Sequence, residues 1–172
     1  MTSPSPFDGR TRETARPRPA ARVVLLDEDD RILLVRSAWD GRSLWFTPGG
    51  GLEPSEEPEA GARRELREET GLTVPPVRWD GACWIRDWTW YYESQDRWVA
   101  SHEHFFLARY PGRAPVLPNG DHDHTDEEIL VLQEFRWWSL GGLRAERPDT
   151  SPACLLDVLP ALIEGGRPAH PI

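Results

Sequence analysis

The stretch Gly50–Leu72, GGLEPSEEPEAGARRELREETGL, constrains this chain more than any other. Its second half reads as a helix, with Pro58 suited to a first helical position and Gly71 to the residue just past the end. Glu65, Glu68 and Glu69 then stand at i, i+3 and i+4, so three carboxylates share one face. Such charges repel unless something positive sits among them. Hard divalent cations such as Mg²⁺ take oxygen ligands of this kind, and the face reads as a metal site. The competing reading is a charged, solvated helix. Upstream, Pro48-Gly49-Gly50-Gly51 is a loop whose bare backbone can approach a ligand. Ala62 and Leu66 are predicted to pack on a sheet, and Glu59 with Arg63 to form an exposed i,i+4 pair. Arg64 lies beside the acidic face, within reach of Glu56 or Glu68.

The full constellation decides between the two readings. Gly50, Glu56, Arg64-Glu65-Leu66, Glu68-Glu69 and Gly71-Leu72 stand at fixed spacing. Seven such identities with two apolar matches arise by chance on the order of 10⁻⁹ per starting position. The stretch resembles the Nudix box, G-x5-E-x7-R-E-U-x-E-E-x-G-U with U apolar, at every defined position. Flanking patterns extend the resemblance over about Ala21 to Leu143. It implies an α/β/α sandwich with a mixed β-sheet and a catalytic loop-helix-loop, and Mg²⁺-dependent hydrolysis of a diphosphate linkage, with Mn²⁺ as a substitute ion. Carried over by resemblance, Glu69 is a metal ligand, Glu65 a ligand or the general base, and Glu68 a further member of the set. A carbonyl at Gly49 or Gly50 joins them, and Glu56 supports the site through Arg64. Two local departures stand out: Ser55 where many members have Gly, and Gly61 where many have Ala. Glycine at position 61 is expected to weaken the helix by about 0.5–1 kcal/mol relative to Ala.

A length of 172 residues fits one domain with tails. Residues 1–20, rich in Ser, Thr, Pro and Arg, read as a flexible and dispensable tail, with a basic arm over the site as the alternative. The domain is expected over 21–166, followed by a short tail over 167–172. The formal charge of −9 argues against a polymeric nucleic-acid partner, but not against a small phosphorylated ligand neutralised by metal. Cys83 and Cys154 make no disulfide framework. Neither a membrane-length apolar run nor a signal-peptide core is present, so the default expectation is a cytoplasmic protein without a membrane partner. Many Nudix relatives dimerise, and the sequence leaves a homodimer open.

Arg22–Leu26 and Arg31–Arg36 read as a hairpin, Arg36–Arg42 as a loop, and Leu44–Thr47 as a strand feeding the glycines. Gly81–Tyr92 and Trp98–Tyr110 read as an antiparallel pair. Trp84, Trp88, Trp90, Tyr91 and Tyr92 are candidates for a base-stacking wall, with Trp88 and Trp90 foremost, against the alternative that they are core. In the polar stretch Pro111–Glu128, His122 and His124 read as solvated loop residues. Nudix-like enzymes often draw a further acid from a late loop, and Glu127, Glu128 and Glu103 are the candidates. Glu134–Leu140 reads as a closing strand, with Trp137 and Trp138 on opposite sides. A last helix is expected over Ala153–Glu164, kinked at Pro160.

Three functions compete. The first is a hydrolase acting on a nucleoside diphosphate linked to another moiety. The second is a binding or regulatory module that keeps the fold without catalysis, which an intact box disfavours. The third is a prenyl-diphosphate isomerase, which needs a catalytic Cys; Cys83 is followed by Trp-Ile rather than the His-Pro such isomerases usually carry.

Overall fold

The computed structural model describes residues 6–39, 42–75, 78–117 and 132–167. Strands β1 (Arg16–Leu26), β2 (Ile32–Trp39), β3 (Arg42–Phe46) and β4 (Gly49–Gly51) lead into helix α1 (Pro58–Thr70). There follow β5 (Trp79–Tyr92), β6 (Arg97–Arg109), β7 (Leu132–Trp138), α2 (Leu140–Glu146), β8 (Thr150–Ser151) and α3 (Leu155–Ile163). The strands form one mixed sheet in the order β5-β6-β1-β2-β3-β8, with β4 added to β1 and β7 to β2. β1 runs parallel to β6, and β3 to β8. The remaining pairings are antiparallel.

β1 is buried from Ala20 through Leu26 because both of its faces are covered. Val23 and Leu25 face Ala62 and Leu66 of α1. Val24 and Leu26 face Leu143 of α2 and Leu155, Leu159 and Leu162 of α3. Each fully buried leucine contributes about 1.5–3 kcal/mol. The layers are therefore helix, sheet, helices, as the resemblance implies. The acidic run after β1 makes a tight turn: Asp27 accepts from the backbone N–H of Asp29 and Arg31 and from the Arg31 guanidinium.

Helix α1 starts at Pro58 and ends at Gly71, whose φ of 70° is left-handed and whose N–H returns to the Arg67 carbonyl. Other boundaries differ from expectation. Arg36–Trp39 continues β2 and Arg42 opens β3; the turn signal Asp40-Gly41 lies outside the described residues. The closing strand stops at Trp138 rather than Leu140, and Ser139 caps a helix that the sequence does not signal, its hydroxyl accepting from the Gly142 N–H at 3.0 Å. Trp138 and Trp137 do fall on opposite faces, yet both pack, one in each core layer. The last helix begins at Leu155, with Pro160 inside it.

The expected tail also needs correction. Residues 16–20 belong to β1, pairing with Val99–Glu103 of β6, while Ala20 pairs with Gly51 of β4. Ahead of them Ala15 is buried, and the Gly9 carbonyl accepts from the Trp98 N–H at 2.7 Å. Deleting Met1–Pro17 removes the contacts of Gly9, Ala15, Arg16 and Pro17. Its melting temperature should fall by at least about 2–4 °C, the shift that about 1 kcal/mol produces at this size. Differential scanning fluorimetry checks this, and an unchanged melt would show that the segment adds nothing.

Candidate active site

The glycine loop and α1 meet because the loop lacks side chains. Gly49 has φ of 136°, and a Cβ there would lie 2.2 Å from the Ala21 carbonyl oxygen. A Cβ on Gly50 would come within 2.7–2.8 Å of the Glu65 carboxyl group. Glu65, only 6% exposed, thus rests on a bare α-carbon. Glu69 accepts from the Gly49 N–H at 2.9 Å. Both acids are brought from the helix to the loop, as the i, i+4 spacing predicts.

Arg64 binds the assembly from the other side. Its Nε and Nη2 fork onto Glu56 at 2.9 Å each, and Nη1 reaches Glu65 at 2.9 Å and Glu68 at 2.8 Å. Nη2 also donates to the Gly51 carbonyl at 3.0 Å. The sequence offered Glu56 or Glu68; the structure gives both and adds Glu65. The Glu56 hydrogen bond, foremost, raises the Arg64 pKa, and the same bond holds Glu56 below the usual carboxylate range. Gly61 has a local reason as well: a Cβ there would sit 2.4 Å from Leu52 Cδ2 and 3.0 Å from Glu56 Oε2. Its absence lets the incoming loop lie against the helix. Ser55 takes φ of 65°, which explains why glycine suits that position.

The donors at the loop are hard oxygens, and the cradle over Gly50 is one that a Cβ would fill. That chemistry fits a divalent cation of the Mg²⁺ type. Among the described residues no three acidic, imidazole or thiol groups are grouped closely enough to enclose an ion. Glu65 and Glu68 are instead turned to Arg64, which supplies the positive charge. The Gly49 carbonyl accepts from Arg22 Nη1 at 3.1 Å.

Glu103 stands apart from this face. It is fully buried on β6, where Arg22 Nε (2.9 Å) takes one oxygen and Arg86 Nε (2.7 Å) the other. Burial alone would raise its pKa, but the two guanidiniums outweigh that and hold it below the ordinary value. From Arg86 an aromatic ladder runs along the same face of β5. The Arg86 Cζ lies 4.6 Å from the Trp88 ring, Trp88 stacks on Trp90 at 5.5 Å, and Trp90 meets Tyr92 at 5.1 Å. Trp84 belongs to the core, stacked on Phe105 at 4.2 Å, and Tyr91 is exposed against Trp98. The candidates Glu127 and Glu128, with His122 and His124, lie outside the described residues. Sequence reasoning missed Arg18, Arg22 and Arg86. The signal was there for Arg22, a cation inside the apolar run of a strand buried on both faces.

A NUDIX domain model matches residues 16–157. The chain belongs to the Nudix family. Among relatives of this Nudix chain, the RNA pyrophosphohydrolase of Zymomonas mobilis is 30% identical over 132 residues, covering 70% of this chain and 76% of that protein. The RNA pyrophosphohydrolase of Erythrobacter litoralis is 30% identical over 137 residues, covering 73% and 77%. The crystal structure of a MutT protein from Methanosarcina mazei shares the fold at a TM-score of 0.62 and 17% identity, covering 88% of this chain and 95% of its own. The chain is a Nudix pyrophosphohydrolase, and enzymes of this family generally use a divalent metal.

Glu103 yields a test of the buried ion triad. Its folded pKa is below the ordinary glutamate value of 4.5, so its stabilisation is complete above that pH and is lost as pH falls toward the folded value. Glu103→Gln leaves Arg22 and Arg86 facing each other without an anion and should cost about 3–5 kcal/mol at pH 7. Urea denaturation of both proteins across pH should show the gap narrowing below about pH 4.5. A constant small gap would mean that the triad is not charged.

Proposed function

We propose that this Nudix enzyme hydrolyses the diphosphate linkage of a small nucleotide, a nucleoside diphosphate joined to another moiety, using Mg²⁺ held at the loop–helix contact. The observation that carries this is the seating of Glu65 on Gly50 with Glu69 on the Gly49 N–H. Glu65, Glu68 and Glu69 would hold the ion together with a carbonyl of Gly49 or Gly50, and Mn²⁺ has the same donor preference. When bound, Mg²⁺ screens phosphate charge and lowers the pKa of water. Arg64 fixes the orientation of Glu65 and Glu68, and Glu56 holds Arg64 in turn. Glu65, seated on Gly50, is a ligand or the general base. Glu103 is an anchor for Arg22 and Arg86 rather than a base, since both of its oxygens are engaged and its proton affinity is low. Trp88 and Trp90 are the aromatic candidates for contact with the base, with Trp88 itself held between Arg86 and Trp90.

The isomerase reading loses its nucleophile. The Cys83 thiol is buried, donates to the Phe105 carbonyl at 3.3 Å and has its pKa pushed up to about 12, chiefly by burial. A second substrate reading, the 5′-terminal phosphates of RNA, is favoured by the two RNA pyrophosphohydrolase relatives that align over most of their length. A Mg²⁺-dependent panel of nucleotides, nucleotide-sugars and a 5′-triphosphorylated oligoribonucleotide, with products weighed by mass spectrometry, distinguishes these. No turnover on any member would favour the binding-module reading.

The role of the acidic face is tested by Glu69→Gln, which keeps size and a carbonyl for the Gly49 N–H while removing charge. It should cut kcat by at least roughly a hundredfold, with metal-free stability equal or higher. Arg67→Gln is the control, on the same helix with its side chain 64% exposed; its activity should match the parent's. Titrating Mg²⁺ into both separates weakened ion affinity from a lost catalytic contribution. Equal, small effects would remove the metal site and the reading with it.

A further inference from the structure

Arg18 lies on β1 in a stretch whose composition reads as tail. The register puts it in one cross-strand row with Ser101 of β6 and Trp88 of β5. Residues so paired project on the same face, and Arg22, Glu103 and Arg86 belong to that face. The Arg18 guanidinium packs on the glycine loop, 3.5–3.7 Å from where a Cβ of Gly51 would be. Arg64 holds the carbonyl of the same glycine from the other side. Glu103 and then Glu65 attract the Arg18 charge, and Arg22 opposes it. Among the described residues its side chain makes no hydrogen bond and no ion pair. Burial, then Arg22, pulls its pKa down from the ordinary arginine value. Three guanidiniums thus share a face with one buried carboxylate, and that carboxylate is taken by the other two.

Arg18 is half-buried beside the glycine loop, and among the described residues none of its side-chain nitrogens is both buried and unpartnered, so its donors stay open to water or to a ligand. We propose that Arg18 is a substrate-binding residue that takes a phosphate oxygen of the nucleotide directly, without an intervening metal ion. A planar fork of N–H donors suits that oxygen pair. Two strand spacings separate Arg18 from Trp88, roughly 10 Å. One nucleotide can therefore touch both, its phosphate at Arg18 and its base at the Trp88–Trp90 stack. This deepens the proposed function, since it assigns the phosphate end and the base end of the same site, and it rests on that reading for the identity of the ligand.

The test avoids turnover. Binding of inorganic pyrophosphate to the full chain is measured by isothermal titration calorimetry in EDTA, for the parent, Arg18→Gln and the exposed control Arg12→Gln. Arg18→Gln should weaken binding roughly tenfold or more, with a melting temperature equal to or above the parent's. Arg12→Gln should leave both unchanged. Arg18→Met keeps the apolar stem and is read in the same way if the Gln variant folds poorly. Equal affinity in parent and Arg18 variants overturns the assignment, as does an equal loss in the control or an absence of metal-free binding to the parent. Because no metal and no reaction are involved, failure here leaves the hydrolase reading standing, and failure of the substrate panel leaves this measurement valid.

Discussion

The site is built around a single guanidinium. Arg64 has five N–H donors, and the structure uses all five: two on Glu56, one on Glu65, one on Glu68 and one on the Gly51 carbonyl. A lysine, with three donors on a point charge, has no planar fork and cannot reproduce this set. The consequences run both ways along the chain. Toward the N-terminus, Arg64 fixes the end of the glycine loop and the Glu56 turn. Toward the C-terminus, it neutralises the repulsion among carboxylates that share a helix face. The acidic face therefore folds with a cation of its own.

Strand β1 carries the other half of the design. It lies between β6 on one side and β4 and β2 on the other, so its register sets the height of the glycine loop relative to the arginine–tryptophan face. Because Gly49, Gly50 and Gly51 pair with Arg22, Ala21 and Ala20, a slip of one residue would exchange the faces of Arg22 and Ala21. Such a slip would place a charge in the layer against α1 and remove the partners of Glu103. The buried Arg22–Glu103–Arg86 triad makes that alternative costly, which is a use of buried charge other than stability.

What the sequence revealed, and what it hid, follows from the range of the interactions. Helix α1 was legible to the residue because Pro58, Gly71 and the i, i+3, i+4 acids are local signals. The β5–β6 pair was legible from β-rich runs around a short polar connection. Helix α2 was not, since two glycines follow its Ser139 cap and the preceding Phe135-Arg136-Trp137-Trp138 reads as strand that continues. The start of β1 was hidden for a different reason. Arg16-Pro17-Arg18-Pro19 has the composition of a tail, and only the parallel partner β6, some eighty residues later, makes it a strand. A proline is tolerable there because it can face away from the ladder or sit near a strand start. No local window contains that partner.

The same limit of range applies to charge. A net charge of −9 is a property felt at a distance, and at physiological salt it is screened beyond about 8 Å. It opposes a long phosphate backbone laid over the surface, which must exchange many counterions for cations. It says little about a face where Arg22 and Arg86 hold one carboxylate and Arg18 lies beside the glycine loop, since the nearest charges dominate there. On the proposed reading, a terminal phosphate at that face would meet the Arg18 guanidinium first and the acidic bulk of the protein only through solvent. The acidic composition thus selects against the length of a nucleic acid without selecting against its end, and a small nucleotide and an RNA 5′ terminus present that face with the same chemistry.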